Sequence, residues 1–526
     1  MTSPVTVYRN GRVYSAAAPG ASALATCGGE VTWLGAGEDA PRADVVVDLA
    51  GGWVGPAFVD AHVHATATGL ALTGLDLSSV GSPARLLARV AAFAAGLPAD
   101  ATVLGHGWDE SRWVAGEMPP SARDLAEATA GRRVYLSQAS VHSALVSQPL
   151  LDAVPQVASA AGFDRSGWLR GAAHHAVRQV ALGSVSPQQR AVAQRAMLER
   201  AASLGIGAAH ECAGPVISSE ADLSALLGLS GDGLPEVFGY WGELGGAAKA
   251  RELGAVGAGG DLFVDGAFGS RTAWVSRAYD TGGCGNAYLD AGQIAEHVLD
   301  CAAHGMQAGF HAIGDAALAA VVDGLAAAAA KLGVEAVRAA RHRVEHAELV
   351  DRALIAGFVE FGVVASVQPA FDRLWGGDGQ MYAQRLGVER ALASNPLQQL
   401  HTTGVTLAFG SDAPVTPLDP WGAVAAAVAH HVPGQRMSTR SAFAAHTRGG
   451  WRALGPVADG ALRQVREREG ALAPGAPATF AVWSTPAGTS EGLPVLVDGA
   501  GALTSAPVCE RTVVRGRTIF QRDEGS

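Results

Sequence analysis

Lysine is almost missing from this chain. Only Lys249 and Lys331 occur among 526 residues, both in alanine-rich, helix-like segments. Arginine supplies the rest of the 38 basic residues, against 49 acidic ones, for a net charge of −11. No run or patch of basic residues interrupts that balance, which excludes nucleic acid as an expected partner. Cysteine is also scarce: Cys27, Cys212, Cys284, Cys301 and Cys509 lie scattered without Cys-x-x-Cys spacing. That excludes a disulfide framework and fits free thiols in a reducing cytoplasm. The N-terminus lacks a charged region followed by an apolar core, so no signal peptide is expected. Alanine-rich runs such as 325–330 are short and flanked by charge, so no membrane span is expected either. What the chain does have is a hydrophobic content of 48 %, enough for a large core. A single barrel of roughly 250 residues would leave half of the chain over.

The most informative stretch is Gly55-Pro56-Ala57-Phe58-Val59-Asp60-Ala61-His62-Val63-His64. An apolar run ends in two histidines one residue apart, and on a strand such residues point to the same side. Two imidazoles are thereby presented together, as a metal site needs. Three more apolar runs end in the same way: at His311 in 308–315, at His346 in 341–348 and at Asp412 in 405–414. Each reads as a short buried strand with its polar residue at the C-terminal end. In a (β/α)8 barrel that end carries the active site. Four histidines and an aspartate suit zinc or another divalent first-row metal.

The order His-x-His, His, His, Asp on successive strands resembles the amidohydrolase superfamily. The motifs 107–111, 262–272, 311–315, 366–369 and 410–415 are similar to the branch that includes N-substituted formamide deformylase. The resemblance spans nearly the whole chain. It implies a metal-dependent hydrolase with a small-molecule substrate, and it leaves open whether the protein forms a homo-oligomer.

Strand-like segments place the fold as an α/β (β/α)8 TIM-type barrel with two additions. Barrel strands are expected near 57–64, 206–212, 236–241, 261–266, 307–313, 342–347, 363–369 and 405–412. The gap after the first strand is too long for one helix, and it contains strand-like 102–105 and 134–137. An inserted lid subdomain at about 70–180, covering the barrel mouth, is expected there. Residues 1–55 alternate in a β manner, with a hairpin expected at Asn10-Gly11, and 470–526 do the same. Neither end can build a core alone, so one small β-sandwich from both termini is expected, as the resemblance also implies. The barrel with its insertion then occupies 56–469.

Many members of the superfamily carry a lysine on the fourth strand that becomes a bridging carbamate. Here that position is Asp261, and neither lysine lies on a strand, so a carbamate bridge is excluded. Two arrangements of one or two ions per chain stay open. In the mononuclear one, His62, His64, His311 and Asp412 hold one ion, and His346 hydrogen-bonds its water or the substrate. In the binuclear one, Asp261 or Glu211 bridges, with His62, His64 and Asp412 on one ion and His311 and His346 on the other. The mononuclear arrangement is preferred, because Asp261 is several bonds shorter than a carbamylated lysine. Asp265 is expected behind the ligands or as a turn-former. His342 is expected to be outward or core, and His430 and His431 at the surface. His210 is either structural or functional, and Cys212 is expected to be a small buried residue.

Substrate contacts are expected from Trp108, Asp109, Arg112, His142, Arg271 and Gln368, with Asp372 beside the last. Trp108, Trp113 and Trp168 suggest a substrate with an apolar or aromatic arm. Arg271 suits a substrate carboxylate, with an ion pair inside the protein as the alternative. The expected reaction is hydrolysis of a non-peptide carbon–nitrogen bond, an amide or formamide. Asp412 serves as the proton-transfer group, and His346 or the metal steadies the oxyanion. Ring deamination, cyclic amide or lactone opening, and an inactive metal-binding regulator are the alternatives.

Overall fold

The computed structural model describes residues 3–110, 113–114, 116–138, 143–455, 467–498 and 502–523. Eight parallel strands form the central sheet, and each pairs with its neighbours in chain order. They are Phe58–Val63, Ile206–Ala213, Glu236–Trp241, Gly257–Ala258, Gln307–Ala312, Arg343–His346, Val364–Val367 and Thr406–Phe409. A parallel bridge from Val63 to Ala413 joins the last strand to the first and closes the barrel. These strands are buried along nearly their whole length, as parallel strands covered by helices must be.

The fourth strand differs from expectation. Its ladder lies at Gly257–Ala258, before 261–266, and Phe263 makes only an isolated bridge to His311. The cause is Gly259-Gly260. Both glycines have positive φ, and a Cβ on Gly259 would meet the Gly309 backbone at 2.2 Å. The chain leaves the sheet there, and Asp261 follows on a loop.

The termini make two sheets. One, in spatial order, is Glu30–Gly35, Ala23–Cys27, Thr6–Arg9 and Val45–Asp48. The other is Arg12–Val13, Trp53–Pro56, Phe480–Ser484, Val508–Val514 and Arg517–Gln521. Tyr8, Leu24 and Val31 share a core with Val54, Leu472, Phe480 and Val513, so both ends of the chain are needed to bury it. The expected Asn10-Gly11 hairpin does not form. Thr6–Arg9 pairs with Ala23–Cys27 and Val45–Asp48, while Arg12–Val13 pairs with Trp53–Pro56 in the other sheet. Asn10 adopts φ 61, as a turn signal predicts, but the turn carries the chain between sheets.

Residues Ala65–Met197 form a separate compact unit, wider at both ends than 70–180. It has its own five-stranded sheet, in the order Trp168–Arg170, Ser143–Val146, Val134–Gln138, Val103–Trp108, Leu75–Asp76, and its own apolar clusters. No described helix is long and apolar enough to cross a membrane.

His446 is buried beneath the barrel between Phe58 and Phe409, and it donates Nδ1–H to the Val59 carbonyl at 3.0 Å. Burial pulls its pKa down to about 4 from the ordinary 6.5. A depressed histidine gives stability that is present above the unfolded pKa and lost as pH falls toward the folded one. Between pH 7 and pH 5 this residue alone should remove roughly 2 kcal/mol. Thermal unfolding should therefore show a shallower fall in Tm over that window for His446→Gln than for wild type, although the variant starts lower. Equal slopes would refute the assignment.

Candidate metal centre

Six side chains from five barrel positions and one loop converge at the C-terminal end of the barrel. His62 and His64 end the first strand, His311 the fifth and His346 the sixth, and Asp412 follows the eighth. Asp261 comes from the loop after Gly259-Gly260 and sits among the histidines. Its Oδ1 lies 3.6 Å from His62 Nε2, 3.4 Å from His311 Nδ1 and 3.6 Å from His346 Nε2. Its Oδ2 lies 3.2 Å from His64 Nε2. Asp412 Oδ1 is 3.5 Å from His62 Nε2 and 3.1 Å from His64 Nε2. The short side chain that told against Asp261 is offset by the loop, which carries its backbone to the centre.

Each histidine has its other ring nitrogen held by an acceptor. His62 Nδ1 donates to Glu345 Oε2 at 2.9 Å, and His64 Nδ1 to the Cys212 carbonyl at 3.1 Å. His346 Nδ1 donates to Gln368 Oε1 at 2.8 Å, and His311 Nε2 to the Gly266 carbonyl at 3.1 Å. These partners fix the tautomers, which leaves His62 Nε2, His64 Nε2, His346 Nε2 and His311 Nδ1 as lone-pair donors facing the two carboxylates. This is how histidine ligands are oriented in metal sites. His62 Nε2 is fully buried with no hydrogen-bond partner. Two ligands on one tetrahedral zinc are about 3.4 Å apart at ordinary bond lengths, which matches the separations here.

Electrostatics points the same way. Burial disfavours the charged form of His62, yet Cys212 and Asp261 carry its pKa well above the ordinary value. His64 is raised likewise, against burial, by Asp261 and Asp412. Burial works against the Asp261 carboxylate too, but His62 and the hydrogen bonds of His311 and His346 hold it well below the usual range. The cluster is a pocket of acceptors that stabilises cations.

Behind it lies a network that the residue pattern did not disclose. Arg343, fully buried, donates to Glu345 from Nε at 2.8 Å and from Nη2 at 3.0 Å. It also reaches His210 Nδ1 at 2.9 Å, the Ala61 carbonyl at 2.7 Å and Ser366 Oγ at 3.1 Å, and it lies over the Tyr240 ring at 4.3 Å. Burial would raise the Glu345 carboxyl, but Arg343 and His62 bring it to about 2. The usable signal was the run Arg343-Val344-Glu345: two opposite charges at strand spacing next to a candidate ligand. His346 joins Glu345 at the centre because its φ is +69°, which breaks the strand's alternation.

Other expected site residues take different places. Glu211 is in none of the ligand clusters among the described residues. On either side of it, His210 bonds Arg343 and Cys212 lies with His62 and Glu345. Trp108 is fully buried in the core of the 65–197 unit, stacked on Trp113 and donating to the Leu136 carbonyl at 2.9 Å. Asp109, half-buried, follows it. Arg112 and His142 lie outside the described residues. Gln368 orients His346. Asp265 accepts backbone N–H groups of Trp274, Ile313 and Gly314 at 2.8 to 3.0 Å and braces the His311 strand end. Cys212 is buried within a ligand-sized cluster with His62 and Glu345. His342 is in the core, accepting from the Ala308 N–H. His430 is buried, not at the surface, whereas His431 is exposed as expected; both engage Asp372. Asp372 is thus held inside the protein.

The pattern of the amidohydrolase family matches residues 45–520, about nine-tenths of the chain. The chain belongs to the amidohydrolase family. Among known proteins, this amidohydrolase is 25 % identical to the YtcJ protein of Bacillus subtilis strain 168 over 412 residues, covering 73 % of this chain and 74 % of YtcJ. It is 32 % identical to LONG AFTER FAR-RED 3 of Arabidopsis thaliana over 234 residues, covering 42 % and 38 %. Among solved structures, an uncharacterised metal-dependent hydrolase from Pyrococcus furiosus superposes with a TM-score of 0.75 at 26 % identity, covering 91 % of this chain and 98 % of that one. The amidohydrolase is therefore a metal-dependent hydrolase on a TIM barrel.

Glu345→Gln keeps the shape but weakens the acceptor behind His62 and leaves Arg343 uncompensated. It should lower metal affinity by ~10- to 100-fold, as loss of such outer partners does. It should also cost roughly 3 kcal/mol in stability. Competition with a chromophoric chelator measures the first and denaturant unfolding the second; unchanged metal affinity would refute the role of Glu345.

Proposed function

We propose that this amidohydrolase cleaves a non-peptide carbon–nitrogen bond, most simply an amide or formamide, at a two-ion centre bridged by Asp261. His62, His64 and Asp412 would hold one ion, and His311 and His346 the other; zinc or another divalent first-row metal suits that donor set. The position of the Asp261 carboxylate, shared by four lone-pair nitrogens, is the observation that carries this reading. When bound, such ions lower the pKa of water to about 7 and polarise the scissile carbonyl.

The chain's own residues do the rest. Asp412 sits at φ +53°, its N–H bonded to the His62 carbonyl at 2.8 Å, so its carboxylate is fixed at the barrel mouth. Ser411 N–H before it is anchored on Asp60 at 2.9 Å. Asp412 accepts a proton from the attacking water at its carboxylate and returns it to the leaving nitrogen. His346 has its Nδ1 proton committed to Gln368, which leaves Nε2 without one. It therefore acts as a ligand and not as an oxyanion donor.

Three measurements test the reading. Elemental analysis should find two ions per chain, falling toward one in Asp261→Ala; one tight ion in wild type would return the mononuclear arrangement. Metal-quantified protein should hydrolyse simple N-formyl or N-acetyl amides in a panel that also holds lactones and deaminase substrates. Asp412→Asn should lower kcat by at least ~10²-fold with much of the metal retained. Near-normal kcat would remove Asp412 from proton transfer.

A further inference from the structure

We infer that Arg271 forms an anion subsite beside the metal centre, and that the preferred amide carries a carboxylate next to an apolar arm. The inference rests on the amide-hydrolase reading above. The loop Gly266–Thr272 begins at the carbonyl that holds His311 Nε2. It folds back on itself through Gly266 N to Thr272 O at 3.1 Å, Thr272 N to Ala267 O at 3.0 Å and Arg271 N to Phe268 O at 3.0 Å. Phe268 anchors it in the core against Tyr382. The loop therefore returns Arg271 to the neighbourhood of His311 on a rigid support.

Arg271 itself is anomalous. Its φ is +57°, a conformation that costs a non-glycine residue free energy. Its side chain is half-buried, and Nε is shut off from solvent with no hydrogen-bond partner. No ion pair or side-chain hydrogen bond engages the guanidinium among the described residues. In a protein of net charge −11, a partly desolvated guanidinium without a carboxylate partner is costly unless a ligand supplies one. A guanidinium accepts a carboxylate in a two-point hydrogen-bonded fork. Phe371 stacks on His346 at 5.8 Å, and the half-buried Trp375, packed against the apolar cluster that holds Phe268 of the same loop, lies 4.9 Å from Phe371. These rings offer a surface for an apolar arm.

The test pairs racemic N-acetylphenylalanine with N-acetylphenethylamine, which differs by the carboxylate alone. With metal-loaded enzyme, kcat/KM should favour the carboxylate compound by ~10- to 100-fold, the worth of a charge-assisted hydrogen-bond pair. Arg271→Gln should erase most of that ratio, chiefly through KM, and Arg271→Lys should restore part of it. A ratio unchanged in Arg271→Gln would overturn the subsite and leave the amide reading standing. If neither amide is cleaved, the amide reading fails, and calorimetric binding of the same pair to metal-loaded Asp412→Asn decides the subsite. Weaker binding of N-acetylphenylalanine alone on adding Arg271→Gln supports it; equal binding overturns it.

Discussion

A permanent positive charge sealed inside the barrel organises the centre. Arg343 has no exposed surface, and a guanidinium cannot shed its charge to escape the cost of burial. It is tolerable there because Glu345 takes two of its hydrogen bonds, while His210, Ser366 and the Ala61 carbonyl take others. Glu345 in turn stays ionised in a place where burial alone would protonate it. An ionised Glu345 fixes the tautomer of His62, and that tautomer exposes Nε2 as a lone pair. The chain of dependence runs from one arginine to the first candidate ligand.

The second constraint is the repulsion among the acceptors. Asp261 and Asp412 lie among four imidazoles whose remote nitrogens are all committed elsewhere. In the absence of an ion, such a cluster draws protons, which is why His62 and His64 titrate high. Metal and proton therefore compete for the same lone pairs, and affinity should fall as pH falls. The scaffold contributes rigidity by placing every donor at a strand end or on a braced loop.

Backbone breaks make the geometry. Regular strands would alternate, and Glu345 and His346 would then face opposite sides. Positive φ at His346 and Ala347 turns both to the centre, and positive φ at Asp412 does the same for the last carboxylate. Gly259 and Gly260 release the fourth strand early, so that a side chain as short as aspartate reaches the centre. Such conformations persist only when surrounding hydrogen bonds over-determine them.

The barrel, the union of the two termini and the four histidines with Asp412 were legible in the sequence. Apolar runs ending in His or Asp are local patterns, and a chain end without enough apolar residues for a core must find a partner. The pairing of Thr6–Arg9, the early exit of the fourth strand and the burial of Trp108 were not legible, because each depends on which distant segment competes for the same neighbours. The reach of Asp261 was misjudged for the same reason: sequence gives the length of a side chain, while the loop decides where its backbone begins. The sequence by itself determined the candidate histidines and aspartates of the centre, but not Arg343 and Glu345 behind them. Tertiary structure decided which nitrogen of each histidine is free and which carboxylate lies among them, because hydrogen-bond partners 22 to 283 residues apart on other elements set the first and the path of the loop after Gly260 the second.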